Sequence, residues 1–372
     1  MGGVSAVPPE APVEDGKVLS VEHLVKHFEL KKGYFSFRKS AAVVHAVEDV
    51  TFSLGKGEIL GLVGESGCGK TTTGRLVTRL ETPTAGRIVF MGRDIAGLEE
   101  WELKAFRKNI QMIFQDPYES LNPRFTVLKA VSEPLVVQGL VPDFDERRER
   151  VIHALDDAGL RPAEDIIERF PHELSGGQRQ RVAIARALAV EPKCIVADEP
   201  VSMLDVSIRA GVMNLMLDLR DKYQIPYIFI THDIAVARYM ADRIGVMYLG
   251  KLVEEGDTDK VIYNPTHPYT RALIAAVPVP EPDFEYKPVP ITGELPSPIN
   301  PPSGCRFRTR CIYATELCAV KEPPYVEVEP GHRVLCHYAE DIFSGRMTPP
   351  AQALAPPPVV SLPPLEAPPG GS

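Results

Sequence analysis

One segment of this chain combines residue types and spacing that can bind a triphosphate: Gly64-Glu65-Ser66-Gly67-Cys68-Gly69-Lys70-Thr71, followed by Thr72. Glycines in this pattern let successive backbone N–H groups point at phosphate oxygens, and the positive end of the next helix adds to the attraction. Lys70 would reach the terminal phosphates, and Thr71 can ligate Mg²⁺. The apolar run just before the loop, 58–63, predicts the buried strand that such a loop follows. The segment therefore indicates binding of a nucleoside triphosphate.

A second segment, Leu174-Ser175-Gly176-Gly177-Gln178, places a serine and two glycines before a basic helical stretch. Taken alone, a Gly-Gly turn at a helix start explains it. Together with the phosphate loop, it resembles the ATP-binding cassette (ABC) family of transport ATPases, in which LSGGQ is the signature motif. The resemblance implies ATP as the nucleotide. It also implies a head-to-tail dimer, in which this turn completes the ATP site of the partner subunit.

The acidic pair Asp198-Glu199 ends an apolar run that begins at Cys194. Such a pair after a strand is often only a solvated turn. In the ABC resemblance, Asp198 is the Walker B residue that reaches the metal, and Glu199 is the general base for the attacking water. Gln115 resembles the Q-loop glutamine, which contacts the Mg²⁺ site and the membrane partner. The implied contacts of Mg²⁺ are therefore Thr71, Gln115 and Asp198.

Two later motifs follow in the order of the family. Ser202 and Asp205 resemble the D-loop, although Met203 stands where Ala is more common. His232 ends another apolar run and resembles the switch histidine that contacts the γ-phosphate. A lone His at a strand end is otherwise more often structural. The resemblance thus makes Glu199, His232 and Gln115 the expected catalytic residues.

The aromatic residue that stacks on adenine in this family is expected near the N-terminus. Phe28 is our candidate, because it lies in a strand-like stretch upstream of the phosphate loop. A Phe in a strand is ordinarily a core residue. Tyr34, Phe35 and Phe37 are competing candidates.

The composition excludes several classes of protein. The 372 residues are 44% hydrophobic, which is enough for a core and for more than one domain. A formal charge of −9 and a pI near 5.6 argue against a general nucleic-acid binder or a polybasic membrane-surface protein. Residues 1–15 lack the pattern of a secretory signal, and the chain lacks the long apolar run of a membrane span. We expect a peripheral protein at the cytoplasmic face of the cell membrane, attached through a partner.

The predicted fold is the α/β fold of an ABC nucleotide-binding domain, with a RecA-like parallel sheet core, an antiparallel β subdomain, a helical signature subdomain and a small Cys-rich C-terminal extension. Strand-like alternation in 18–62 indicates the antiparallel part, whereas 70–114 and 193–255 alternate apolar strands with helical patterns, as in a parallel sheet. The predicted segments are a disordered tail 1–17, the ABC ATPase domain 18–263 with its helical subdomain at 116–189, a Pro-rich connector 264–302, the Cys-rich domain 303–343 and a disordered Pro/Ala-rich tail 344–372.

Three features narrow the resemblance to the ATPase subunits of oligopeptide and dipeptide importers: the stretch 116–124, the His-Pro-Tyr-Thr segment at 267–270 and the Cys-rich extension. The likeness to the second ATPase subunit of these systems implies a heterodimer with another ATPase subunit, two transmembrane permeases and an extracytoplasmic solute-binding protein, and no nucleic acid. The solute could be a peptide, a nickel chelate or an oligosaccharide. One alternative stays open, a soluble ABC protein that acts as a nucleotide switch on ribosomes or nucleic acid, whereas the separate chain and the cysteine extension argue against an exporter ATPase.

The extension contains four cysteines, Cys305, Cys311, Cys318 and Cys336, with the spacing C-x5-C-x6-C-x17-C. A reducing cytosol disfavours disulfides. Structural zinc sites usually bring their cysteines in closer pairs, whereas a 4Fe–4S cluster tolerates wider spacing, and some members of the resembled importer family carry one here. A 4Fe–4S cluster is thus expected, with Zn²⁺ or unligated thiols as alternatives. Four nearby arginines could offset the negative charge of a cluster: Arg306, Arg308, Arg310 and Arg333.

Overall fold

The structure is a computed structural model that describes residues 16–30, 42–276, 291 and 293–347. Most of the two tails predicted to be disordered lies outside the described residues. The same holds for the adenine-stacking candidates Tyr34, Phe35 and Phe37 and for segment 277–290 of the predicted connector. Among the described helices, none has the length and apolar character needed to cross a membrane.

The described strands form two sheets, one with the order β2-β1-β4-β5 and one with the order β11-β12-β10-β9-β3-β8-β7-β6. The strands are β1 Lys17–Glu29, β2 Val43–Gly55, β3 Ile59–Val63, β4 Ala85–Phe90, β5 Arg93–Asp94, β6 Ile110–Ile113, β7 Cys194–Asp198, β8 Tyr227–Thr231, β9 Arg243–Tyr248, β10 Lys251–Asp257, β11 Tyr325–Glu329 and β12 His332–Leu335.

The centre of the larger sheet is parallel and positions the motifs. Every residue of β3, β7 and β8 is buried, because helices cover both faces of a parallel sheet and such strands therefore read as continuous apolar runs. β3, β8, β7 and β6 lie side by side and run in the same direction. The segments after their carboxyl ends consequently meet at one edge of the sheet.

The smaller sheet corrects part of the predicted organisation. We assigned the stretch 18–62 to the antiparallel part and 70–114 to the parallel part, but β3 belongs to the parallel sheet, and β4 pairs antiparallel with β1. The burial pattern separates the two kinds of strand. β3 is buried throughout, whereas in β4 the buried Ile88 and Phe90 flank the half-buried Val89, as expected for a strand with one solvated face.

The helices are α1 Lys70–Val77, α2 Glu100–Asn109, α3 Pro117–Ser120, α4 Val127–Gln138, α5 Phe144–Asp157, α6 Gly176–Leu188, α7 Val206–Tyr223, α8 Ile234–Met240, α9 Thr258–Tyr263, α10 Pro268–Ala275, α11 Glu316–Val320 and α12 Ala339–Phe343. The helices α3 to α6 fall between β6 and β7, in the region predicted as the helical subdomain. Thr126 and Asp143 cap the starts of α4 and α5 with side-chain hydrogen bonds. Local capping signals therefore mark where these two helices begin.

The C-terminal extension continues the large sheet. β12 pairs antiparallel with β10, and β11 pairs with β12. The carboxylate of Glu254 on β10 is fully buried, and it accepts hydrogen bonds from the backbone N–H groups of Thr266 (2.8 Å) and His267 (2.9 Å). The Nε2 atom of His332 on β12 lies 2.7 Å from the same carboxylate. One buried acid thus joins β10, the start of the predicted connector and the C-terminal hairpin.

Candidate functional site

The phosphate-binding loop connects β3 to α1, as the strand–loop–helix prediction requires. Gly64 and Gly69 adopt φ values of 149° and 108°, in the region that favours glycine. A Cβ atom at Gly64 would collide with the carbonyl oxygen of Met247, and one at Gly69 would collide with that of Ala46. Only glycine lets the loop pass this close to the neighbouring backbone.

Lys70 is buried at the start of α1, and its ammonium group lies within the loop. The Nζ atom donates hydrogen bonds to the carbonyl oxygens of Gly64 (2.7 Å) and Glu65 (3.0 Å). The cation is thus held by loop carbonyls close to the N-terminus of α1, where a phosphate would also find the helix dipole. This position agrees with the predicted role of Lys70 in phosphate binding.

Thr71 and Asp198 bring together two oxygen atoms suited to a hard divalent cation. The Thr71 hydroxyl donates to Oδ1 of Asp198 over 3.0 Å. Burial, with repulsion from Glu199 as a smaller cause, raises the pKa of Asp198. A bound cation would favour the ionised carboxylate here. Hydroxyl and carboxylate oxygens suit Mg²⁺, so these two side chains fit the predicted ion.

Glu199 is the centre of the predicted catalytic group. Its Oε2 atom accepts a hydrogen bond from Nε2 of Gln115 (3.3 Å) and lies 3.0 Å from Nδ1 of His232. The three residues follow β6, β7 and β8, so the parallel sheet delivers them to one place. Glu199 adopts a φ of 47°, a left-handed conformation that is costly for a non-glycine residue and clusters at functional sites.

A cleft of about 590 Å³ is lined by Lys70, Thr71 and the group of Gln115, Glu199 and His232. Phe28 is among its lining residues, which agrees with the predicted position of the adenine-stacking ring. Phe28 pairs with Val44 across β1 and β2, and the Nζ atom of Lys26 lies 4.6 Å from its ring centroid. The lining residues are Phe28, Val44, Ala46, Ser66, Gly67, Gly69, Lys70, Thr71, Thr72, Gln115, Glu199, His232 and Pro298.

The signature segment, Leu174 to Gln178, is not among the described residues that line this cleft. Ser175 caps α6, and its hydroxyl accepts a hydrogen bond from the backbone N–H of Gln178 over 3.3 Å. A Cβ atom at Gly177 would lie 2.5 Å from Cγ2 of Ile208 on α7. The signature turn therefore packs against the helix that follows the D-loop, whose Asp205 occupies the N-cap position of α7. A turn away from the chain's own cleft agrees with a role in the site of a partner.

Comparisons with known proteins agree with this geometry. The family model described as "ABC transporter" matches residues 47–202, and the one described as "Oligopeptide/dipeptide transporter, C-terminal region" matches residues 253–318. The oligopeptide transport ATP-binding protein AppF of Bacillus subtilis is 48% identical over 323 residues, which cover 86% of this chain and 97% of that protein. The chain belongs to the ATP-binding subunits of ABC transporters.

A second relative and a solved structure support this membership. The di/tripeptide transport ATP-binding protein DppF of Pseudomonas aeruginosa is 45% identical over 326 residues, covering 88% of this chain and 99% of its own length. A dimeric ATP-binding cassette in a post-hydrolysis state, bound to ADP and Pi, superposes with a TM-score of 0.57 and 30% identity over 64% of this chain and 98% of that one. The predicted family is confirmed, and the chain is an ABC-type ATPase.

The cysteines of this ABC ATPase fall into two groups, and none of the six forms a disulfide. Cys68 and Cys194 are buried in the cassette, and burial raises the pKa of Cys194 to about 12. In the extension, burial and the other thiols raise the pKa of Cys311 and of Cys336 to about 12. No three of the extension's cysteines have sulfur atoms within 4.8 Å of one another in the described structure. A 4Fe–4S cluster therefore stays a prediction.

The predicted role of the nearby arginines needs correction. Three of the four pair with carboxylates: Arg306 with Glu48, Arg310 with Glu65 and Arg333 with Glu255. Burial raises the pKa of Cys305, and Arg308 acts against it by lowering that pKa. These arginines therefore serve mainly to attach the extension to the cassette.

Sequence reasoning missed a polar network between β1 and β2. His27 and His45 face each other across the two strands, and both contact Oε2 of Glu48, at 3.0 Å and 2.9 Å. Arg306 donates to the same oxygen over 3.0 Å. Although burial raises the pKa of Glu48, these hydrogen bonds outweigh it and lower the pKa to about 2. The network is satisfied by the chain's own groups and attaches the extension to β2.

The predicted connector and the extension also contribute to the ATP site, which the sequence did not indicate. Pro298 lines the cleft, and its carbonyl oxygen accepts the backbone N–H of His45 over 3.0 Å. Arg310 and Tyr269 contact the phosphate-binding loop at Glu65. The His-Pro-Tyr-Thr segment was the one available signal for Tyr269. No local pattern pointed to Pro298 or Arg310.

Proposed function

We propose that this chain is the ATP-hydrolysing subunit that powers an importer for di- and oligopeptides. The observation that carries the proposal is the second family match: residues 253–318 match the C-terminal region of oligopeptide and dipeptide transporters. The relatives named above are designated as oligopeptide and di/tripeptide transport proteins, and they align along nearly their whole length.

The chemistry follows from the described side chains. Lys70 can exchange its bonds to loop carbonyls for bonds to the terminal phosphates of ATP, because its ammonium already lies inside the loop. Glu199 accepts the proton of the attacking water, and His232 and Gln115 orient its carboxylate. Mg²⁺, when bound by Thr71 and Asp198, would neutralise charge on the phosphate oxygens.

Coupling to transport requires a second ATPase subunit. The signature turn would complete the partner's ATP site, and the partner's turn would complete this one. ATP drives the permeases only by binding the closed dimer more tightly than the open one. The proposed assembly is a heterodimer of this chain with a second ATPase subunit, attached at the cytoplasmic face of the membrane to two permeases that receive solute from an extracytoplasmic binding protein.

The hydrolytic role is tested by Glu199→Gln in the assembled transporter. Gln keeps the size of the side chain but cannot accept the proton, so ATP binding should persist while turnover falls by about 10² or more. Glu191→Gln is the matched control, because that glutamate is mostly exposed and pairs with Arg150 away from the cleft. Near-normal hydrolysis by the Glu199 variant would remove Glu199 from the general-base role.

The import role is tested by reconstituting the chain with its permeases and measuring ATP-dependent uptake of labelled peptides. Uptake should require ATP and should disappear with Glu199→Gln. Failure to copurify with permeases, together with salt-sensitive binding to RNA or DNA, would favour the alternative of a nucleotide switch on ribosomes or nucleic acid.

For the four thiols of the extension, the proposal is a structural 4Fe–4S cluster, with Zn²⁺ as the alternative. Tetrahedral zinc with bonds of about 2.3 Å would place the sulfur atoms about 3.8 Å apart. Among the described residues, no three of the four sulfur atoms lie even within 4.8 Å of one another, while the thiols of Cys305 and Cys318 raise the pKa of Cys311 and of Cys336, where burial is the larger cause. A spacing wider than that of a zinc site is the observation that supports the larger cluster.

The cluster is tested by metal analysis of anaerobically purified protein. About four irons per chain are expected, with broad absorbance in the blue-to-violet region. A colourless protein that holds one zinc would refute the assignment.

A further inference from the structure

One residue of the predicted connector and one of the C-terminal extension hold the second residue of the phosphate-binding loop, Glu65. The backbone N–H of Glu65 donates to the hydroxyl of Tyr269 over 2.8 Å. Its carboxylate accepts two hydrogen bonds from the guanidinium of Arg310, at 2.9 Å and 3.2 Å. Its carbonyl oxygen accepts one from Lys70. The N–H, the carbonyl and the carboxylate of Glu65 are therefore all hydrogen-bonded. Two of the three partners, Tyr269 and Arg310, lie outside the nucleotide-binding motifs.

The two residues that hold Glu65 are themselves firmly placed. Tyr269 is fully buried, and its ring packs against Tyr248 and Phe307, with centroid distances of 4.7 Å and 5.6 Å. Arg310 lies on the same turn as Phe307, whose carbonyl oxygen accepts the Arg310 backbone N–H over 2.9 Å. The Arg310 side chain is only 11% exposed. The connector thus presents a firmly held hydroxyl to the loop, and the extension presents a firmly held guanidinium.

The hydroxyl of Tyr269 also sets the direction of a carbonyl group inside the loop. The N–H of Glu65 and the C=O of Gly64 belong to one peptide unit, which is trans. In a planar trans peptide these two groups point in opposite directions. With the N–H fixed on Tyr269, the Gly64 carbonyl must point into the loop, where it accepts a hydrogen bond from the Lys70 ammonium.

We propose that Arg310 and Tyr269 are positioning residues for ATP binding, which fix Glu65 and thereby the shape of the phosphate-binding loop. Neither residue is among the described residues that line the ATP cleft, so both act through Glu65. The bidentate pair of Arg310 fixes the side chain of Glu65, and Tyr269 fixes its peptide plane. The inference rests on ATP binding alone and is independent of the transported solute.

The experiment measures the Kd of the purified full-length subunit for a fluorescent ATP analogue, and the KM and kcat for ATP in the assembled transporter. Arg310→Ala should weaken nucleotide binding about tenfold, since a loop misplaced by a fraction of an ångström loses much of its effect. The loss should appear in KM, with kcat at saturating ATP changed by less than about twofold. Arg310→Lys, which keeps the charge but not the bidentate geometry, should recover only part of the affinity.

Two further variants separate positioning from folding. Tyr269→Phe keeps the ring and its packing but removes the hydroxyl, so it should weaken nucleotide binding without a matching loss of melting temperature. Arg308→Ala is the matched control, because Arg308 lies on the same turn and bonds to the carbonyl oxygen of Ser303 instead of the loop. It should leave the nucleotide Kd unchanged.

A double-mutant cycle completes the test. If Arg310 acts through Glu65, then adding Glu65→Gln to Arg310→Ala should weaken binding no further than Arg310→Ala alone. If instead the fold-changes in Kd of the two single variants multiply in the double variant, the proposal is overturned. An unchanged Kd in Arg310→Ala and Tyr269→Phe would do the same, and so would an equal loss in Arg308→Ala. Should Arg310→Ala fail to fold, Arg310→Lys, Tyr269→Phe and Glu65→Gln still decide the question through the Kd.

Discussion

Glu254→Gln should loosen the junction between the cassette and its C-terminal extension. The Glu254 carboxylate is fully buried, and its two oxygens face three donors: the backbone N–H groups of Thr266 and His267 and the imidazole of His332. In its better orientation, a Gln side chain would direct its amide NH₂ at the N–H of His267. Two donors would then face each other without an acceptor.

The magnitude follows from these contacts. An unsatisfied buried donor costs about 1–3 kcal/mol, and hydrogen bonds to a charged acceptor are stronger by about 1 kcal/mol than those to a neutral one. With the orphaned His267 N–H counted at about 1 kcal/mol, the low end of that range, and two bonds each weakened by about 1 kcal/mol, the total is at least about 3 kcal/mol. No discount for solvent screening applies, because neither Glu254 nor His332 is exposed.

Hydrogen exchange is the assay, since it reports local opening. In Glu254→Gln, the amides of 264–269 and 325–335 should exchange about 10² times faster than in the wild type, which is the rate equivalent of about 3 kcal/mol. Glu329→Gln is the matched control, because Glu329 is partly exposed and contacts the same imidazole at 3.2 Å, so its effect should stay below about 1 kcal/mol. Exchange of the Glu254 variant within about threefold of the wild type would contradict the reasoning.

Three more predictions concern pH, the signature turn and the adenine site. Burial lowers the pKa of His332, but Glu254 and Glu329 outweigh it and raise the pKa above 6.5. The stabilisation of the fold by the protonated imidazole is therefore complete below pH 6.5 and is lost as pH rises through the raised pKa. The melting temperature should show this loss in the wild type and not in His332→Gln. Gly177→Ala should force Ile208 aside and lower the ATPase rate of the assembled transporter about tenfold while sparing nucleotide binding by the isolated subunit; an equal loss of binding would contradict this. Phe28→Ala should raise the nucleotide Kd about tenfold and Phe28→Trp should not, if the ring stacks on adenine.

The nucleotide motifs could be placed from the sequence because each is a short pattern at the end of a strand. Asp198 and Glu199 follow one apolar run, and His232 follows another. Parallel strands bring their carboxyl ends to one edge, so identifying the strands already predicts that these residues meet. The contacts of Glu199 with Gln115 and His232 agree with that inference.

The contacts of the extension could not be predicted in the same way. Arg310 and Glu65 are 245 residues apart, and no periodicity in either segment specifies that they pair. The arginines near the cysteines were interpreted from proximity in sequence, yet the tertiary structure directs Arg306 and Arg310 toward Glu48 and Glu65. The assignment of β4 failed for a related reason, since sheet membership depends on pairing partners that a single strand does not encode.

The pairing of β12 with β10 has a consequence for the synthesis and folding of this protein. During synthesis, β10 leaves the ribosome well before β12, and in that interval its outer edge offers unpaired N–H and C=O groups to any passing strand. A nascent chain therefore carries an exposed edge strand, which can pair with other chains, until the β11–β12 hairpin emerges. Truncated chains that stop before β11 would keep the edge of β10 exposed permanently. An isolated cassette should therefore be prone to self-association even when its nucleotide-binding motifs are intact.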